Sequence, residues 1–108
     1  MHEFIFFPQK GYLYPLNTET LIMIEAAENY VKCFYEEEMI TIRTGLTKMM
    51  SKLPRGKFIQ VSRIHIVPVK EIMKFNKEEL YLYHAPEKPI GVGKQFYPKI
   101  MEQLVVLE

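Results

Sequence analysis

The side chains best suited to chemistry in this chain are polar and basic residues set in turns: Asn29 and Tyr30 in Glu28-Asn29-Tyr30, Arg63 after Ser62, and Lys94 with Gln95 after Gly93. A rigid scaffold can present such residues to a groove. The guanidinium of Arg63 can donate two hydrogen bonds to guanine O6 and N7, and the amide of Asn29 or Gln95 can pair with adenine. Lys32, Lys48, Lys52, Arg55 and Lys57 are suited to phosphate oxygens. Singly, each of these also reads as an ordinary surface residue; their combination is what points to nucleic acid.

Catalysis needs a convergent acid, base or nucleophile, and the chain offers no such set. His2, His65 and His84 lack the spacing of a metal site, and the one cysteine, Cys33, cannot complete one locally. They are expected to be structural or exposed, with no metal and no cofactor. Cys33 reads as a small buried apolar residue more readily than as a reactive thiol, and a single Cys favours a reducing, cytoplasmic setting. Glu36 to Glu38 form a solvated hairpin tip in this reading, and Gly91, Gly93 and Lys94 lack the spacing of a phosphate loop. There is no Asp anywhere. A phosphoacceptor receiver and a typical calcium loop are therefore not encoded, and control by phosphorylation would belong to another domain or chain.

The net charge of +1 conceals a strong asymmetry. Residues 1–42 hold Lys10 and Lys32 against seven Glu, a net of −5. Residues 43–77 hold nine basic residues against Glu71 alone, a net of +8, and the remainder carries three Lys against five Glu, a net of −2. Such clustering fits a polyanion partner, or else a solvated basic face.

The elements that must position these residues are mostly strands. Short β-branched and aromatic runs separated by turn residues predict strands near Glu3 to Phe7, Tyr12 to Leu16, Leu21 to Ala26, Tyr30 to Tyr35, Met39 to Arg43, Phe58 to Val61, Glu71 to Phe75, Leu80 to His84 and Ile90 to Val92. Turns are expected at Pro8 to Gly11, Asn17 to Glu19, Glu36 to Glu38, Pro54 to Gly56, Asn76 to Glu78 and Ala85 to Pro89. In Met39 to Arg43 the alternation puts Ile40 and Ile42 on one face, Thr41 and Arg43 on the other. Leu46, Met49, Met50 and Leu53 share one helical face between Thr44, available as a cap, and Pro54, leaving Lys48 and Lys52 on the solvent side. A C-terminal helix is expected from about Gln95, with Phe96, Ile100, Leu104 and Leu107 on its apolar face and Pro98 in its first turn. A chain of 108 residues with 48% hydrophobic content is sized for one domain, residues 1–108, and no apolar run approaches a membrane span.

Four ordered blocks carry a resemblance that extends over most of the chain. Ile22-Met-Ile-Glu-Ala-Ala-Glu-Asn-Tyr-Val31 resembles the LytTR signature of a strand ending in Glu-Ala, a polar turn and Asn-Tyr-Val. Ile40 to Arg43 with Leu46 and Leu53-Pro54 is similar to that family's strand, small helix and Leu-Pro stop. Phe58-Ile-Gln-Val-Ser-Arg-Ile-His-Ile-Val67 with Ile72 resembles its central block, and Ile90-Gly-Val-Gly-Lys94 with Phe96 its closing segment. Gln60 and Ser62 stand where the family has Arg and His, Ile64 and Pro68 where it has Ser and Asn, Gly91 and Gly93 where it has Pro and Ser, and Lys94 where it has Arg.

The resemblance implies a mostly β (α+β), elongated domain of three small antiparallel sheets with a short central helix and a C-terminal helix. It implies sequence-specific binding of double-stranded DNA as the output domain of a bacterial transcriptional response regulator, with loops in the major groove. The base-contacting places carry over to Asn29 or Tyr30, Arg63 and Lys94. It also implies a homodimer on repeated half-sites and a receiver or sensor domain on another segment or chain. The alternative is a protein-interaction or ligand-sensing module that keeps the fold without reading DNA, in which Arg63 and Lys94 would be paired with Glu. An enzyme would require a cleft holding His65 with two Glu.

Overall fold

A computed structural model describes residues 3–107; His2 lies outside them. Ten strands and two short helices follow one another as β1 (Phe4–Gln9), β2 (Tyr12–Asn17), β3 (Met23–Ala27), β4 (Tyr30–Phe34), β5 (Met39–Ile42), α1 (Leu46–Lys52), β6 (Phe58–Gln60), β7 (His65–Pro68), β8 (Ile72–Phe75), β9 (Glu79–Leu82), β10 (Ala85–Gly91) and α2 (Tyr97–Gln103). A single 3₁₀ turn, Val69–Glu71, joins β7 to β8. The strands form three antiparallel sheets: the β1-β2 hairpin, a central sheet ordered β5-β4-β3-β7-β6, and a third ordered β10-β9-β8. The molecule is elongated, 49 × 28 × 23 Å.

The period-2 alternation of the strands builds two cores on opposite faces of the central sheet. In β3 and β4, Ile24, Val31 and Cys33 face one way, under the Leu46 and Met49 side of α1 and the Leu16 end of the hairpin. In β6 and β7, Ile59 and Val67 face the other way, toward Leu80 and Leu82 of the third sheet and Ile100 of α2. β7 is covered on both sides. All four of its residues are buried, so it reads in sequence as a short unpatterned run ending in Pro, which explains why no strand was expected there.

Other departures have local causes. Gly45, not Thr44, is the N-cap of α1, and no side chain caps it. α2 begins at Tyr97, two residues later than expected, with Pro98 in its first turn; Leu104 is the extended C-cap, and Leu107 lies beyond the helix, fully exposed. The apolar spacing continued past the last residue that had a core to meet. Ala85 to Pro89, expected as a turn, belongs to β10, whose pairing with β9 shifts register between Ala85 and Ile90, an irregularity that accommodates Pro86 and Pro89.

Candidate nucleic-acid interface

Strand pairing brings the three turns singled out in the sequence to one end of the molecule. The β3-β4 turn is Glu28-Asn29, closed by the pair Ala27 and Tyr30. Glu28 is held at φ 59°, a left-handed conformation that a residue with a Cβ adopts only at some cost. Beside it, the Ala26 N–H donates to the Ile64 carbonyl at 2.8 Å, tying this hairpin to the β6-β7 loop that carries Arg63. On the far side of that loop the Gly93 N–H donates to the Val61 carbonyl at 2.8 Å, which seats Lys94 against it. The Val92 N–H reaches the Glu78 carbonyl at 3.0 Å, adding the β8-β9 turn with Lys77. At the opposite end of the row, Arg43 follows β5 and lies over the Tyr30 ring, 5.7 Å from its centroid. Four inter-strand steps of about 4.8 Å make the row roughly 19 Å wide across the central sheet alone.

The loop holding Arg63 is braced from within. The Ser62 hydroxyl oxygen accepts from the Ile64 and His65 N–H groups, both at 3.2 Å, and the Gln60 amide donates to the Ser62 carbonyl at 3.0 Å. The Val61 N–H closes the loop on the His65 carbonyl at 3.0 Å. Arg63 thus sits exposed at the apex of a tight turn. Gln60 and Ser62 serve as the loop's own hydrogen-bonding frame. Below it, His65 is buried with Nε2 3.1 Å from Glu25, and its Nδ1 has no partner. Among the described residues, Glu25 is the one glutamate paired with His65.

Arg63, Lys94, Gln95 and Asn29 are exposed, and among the described residues neither Arg63 nor Lys94 holds an ion pair. Lys32 is half-buried on β4, opposite Glu25 and Thr41. Lys48 and Lys52 are exposed on α1, which starts from the Arg43 end; Lys52 lies about 6 Å further along the axis. Arg55 and Lys57 are not brought to this end. They precede β6, whose first residue pairs with the last residue of β7, so they lie at the opposite end of the sheet from Arg63. There Lys57 pairs with Glu19 at 3.7 Å, and Lys70 joins the same carboxylate at 3.9 Å. The basic stretch 43–77 is therefore not a single positive surface. Of that stretch, Arg43 and Lys77, its first and last basic residues, join the row, and it is the strand pairing that separates them from Arg55 and Lys57.

The opposite end is acidic. Glu36, Glu37 and Glu38 of the β4-β5 turn face a cleft shared with Glu19, Glu71, Lys70 and His84. His84 Nδ1 lies 2.7 Å from Glu71, and this hydrogen bond holds the imidazole pKa above its ordinary value despite slight desolvation. Carboxylates thus gather at this end around Lys57 and Lys70, while Arg43, Arg63, Lys77 and Lys94 lie along the other beside the exposed Glu28 and Glu78. Cys33, meanwhile, is wholly buried, and desolvation pushes its thiol up to about 12. Among the described residues no cluster could hold a metal ion, and no helix is long and apolar enough to cross a membrane.

Comparison with known proteins agrees with this architecture. Among solved structures, the chain is similar to the LytTr DNA-binding domain of a protein described as a methyl-accepting/DNA response regulator from Bacillus cereus, with a TM-score of 0.76 and 17% identity, covering 95% of this chain and 97% of that one. That likeness shows the fold. Among curated proteins no relative matches. The family model described as the LytTr DNA-binding domain matches residues 11–105, from the β1-β2 turn to just past α2. With nearly the whole chain matched in sequence and the same three-sheet fold, this chain belongs to the LytTR family of DNA-binding domains.

Proposed function

We propose that the chain binds double-stranded DNA sequence-specifically, as the output domain of a bacterial transcriptional response regulator, through the row that runs from Arg43 to Lys77. The observation that carries this reading is the hydrogen-bonded continuity of the three turns bearing Asn29, Arg63 and Lys94, with the last two exposed and unengaged by carboxylates. Arg63, at the apex of a braced loop, is placed to read guanine in the major groove with two parallel donors, and Asn29 to read adenine. Lys94 serves as a point donor to phosphate or guanine, with Gln95 beside it. Lys32, Arg43, Lys48, Lys52, Lys77 and Lys94 neutralise phosphates, and Tyr30 holds Arg43 in place. Arg55 and Lys57 stand outside this footprint. Two such domains would occupy repeated half-sites, with a receiver or sensor on another segment or chain, acting in the cytoplasm.

Selection from a random duplex library followed by anisotropy titrations tests the reading. Six phosphate contacts predict a slope of log affinity against log salt of about −5, or about a 1,000-fold loss between roughly 50 and 200 mM. Arg63→Ala should relax base preference at one position at a cost of roughly 1–3 kcal/mol. A flat salt response, or an unchanged preference in Arg63→Ala, overturns the proposal. The rival reading as an interaction module required Arg63 and Lys94 to be held by Glu, an arrangement not seen among the described residues.

A further inference from the structure

The β1-β2 hairpin presents an apolar face that the DNA reading does not use. Its two strands, Phe4–Gln9 and Tyr12–Asn17, contain no charged residue. Lys10 and Gly11 form a two-residue turn with both φ positive, as a tight hairpin requires. Ile5, Phe7 and Leu16 turn inward onto the first core. Phe4, Phe6, Pro8, Leu13 and Pro15 alternate with them and are all exposed, Phe6 at 61% and Leu13 at 68%. The family match begins at residue 11, so the β1 half of this face lies outside it.

The register says how this surface can be covered. In an antiparallel pair, hydrogen-bonded and non-hydrogen-bonded positions alternate. Proline has no N–H, so Phe6 with Pro15 and Pro8 with Leu13 occupy non-hydrogen-bonded positions, where backbone groups point away from the partner strand. Each outer edge of the hairpin therefore carries a proline where an incoming strand would need a donor, which blocks extension of the sheet edge to edge. What remains is packing of the outer face against another sheet. An uncharged apolar face is complementary to itself, so a second copy fits it about a twofold axis. At roughly 200 Å² for a fully exposed aromatic, the two Phe, Leu13 and the two Pro offer on the order of 500 Å² per copy. A symmetric pair would bury roughly 1,000 Å², the lower bound for a specific interface and the range of weak ones. The base of the hairpin is fastened at the end away from Arg63, where the Tyr35 hydroxyl donates to the Asn17 carbonyl at 2.7 Å.

We infer that the outer face of the β1-β2 hairpin, centred on Phe6 and Leu13, is a self-association surface through which two copies of this chain dimerise in the absence of DNA. This holds whether or not the row at the other end reads bases. Sedimentation velocity of the full chain without DNA, from about 1 to about 100 μM, brackets the micromolar Kd expected of an interface this small. The wild type should pass from monomer to dimer, and Phe6→Glu/Leu13→Glu, with an unchanged circular dichroism spectrum, should raise the Kd at least about 30-fold. Concentration-dependent NMR shifts in the wild type should fall on Phe4, Phe6, Leu13 and their neighbours. A wild type that stays monomeric throughout, a double variant that dimerises as well as wild type, or shifts confined to α2 or the Arg63 loop would each overturn the inference. So would binding of the monomer to neutral phosphatidylcholine vesicles with no self-association.

Discussion

Gly93 is the residue on which the relation between core and reading surface can be tested most directly. Its N–H bonds to Val61, its carbonyl accepts from the Phe96 and Tyr97 N–H groups at the start of α2, and Lys94 follows it. A Cβ at this position would lie 2.8 Å from Cδ2 of Phe96 and 3.4 Å from the Ser62 Cα. The Phe96 ring packs on the second core and the Ser62 contact is backbone, so neither yields freely. Overpacking of this kind costs about 1–3 kcal/mol, and weakening the Gly93-to-Val61 bond adds about 1 kcal/mol at most. Gly93→Ala should therefore lose about 2 kcal/mol in urea denaturation, as a lowered midpoint with the slope unchanged. It should also move Lys94 away from the Arg63 loop, so the salt slope of DNA binding should become shallower by about 0.9 for the lost phosphate contact. Gly91→Ala is the control, because a Cβ there meets nothing within 4 Å, and it should stay within about 0.5 kcal/mol of wild type. If Gly93→Ala matches Gly91→Ala in stability and in salt slope, the reasoning that ties Lys94 to the loop through this contact fails.

Three further outcomes are expected. Glu28→Gly relieves a left-handed backbone and should raise stability by about 1 kcal/mol in the same denaturation assay; a loss would mean the carboxylate contributes more than the strain. Native Cys33 should resist iodoacetamide at pH 8 at least about 100-fold more than the urea-unfolded chain, since burial keeps it a neutral thiol. Equal rates would show that the first core opens readily. The His84 ring should titrate above its ordinary value of about 6.5 by NMR, and Glu71→Gln should lower it. Because the folded value is the higher one, this contact contributes stability below about pH 6.5 and loses it as pH rises through the folded value.

Expected strands were found where a β-branched or aromatic run was bounded by turn residues, even at β6, whose Phe58 and Ile59 face different cores. Met39 to Arg43 alternates as predicted because α1 and the first core cover one side of β5 and solvent covers the other. β7 was not legible because both of its faces are covered and its four residues end in Pro68 directly after the Ser62-Arg63 turn, leaving neither alternation nor a bounded run. The end of α2 was overestimated because spacing alone continues to Leu107, whereas packing stops near Leu104. Of the candidate site, Asn29, Arg63 and Lys94 were legible as turn residues. Lys57 went elsewhere because Glu19, 38 positions earlier, lies beside it only in the folded chain.

The order of residues by itself determined most of the strand runs, the turn at Glu28-Asn29, a turn near Lys10-Gly11 whose first two expected residues, Pro8 and Gln9, belong to β1, the buried thiol and the family. These depend on contacts among near neighbours or on the apolar period of a single segment. Tertiary structure alone decided which cations share a surface, that Gln60 and Ser62 brace the Arg63 loop, and that the hairpin's outer face is left uncovered. Each of those depends on hydrogen bonds and packing between segments distant in sequence, and such pairings are set by which faces meet in the folded chain.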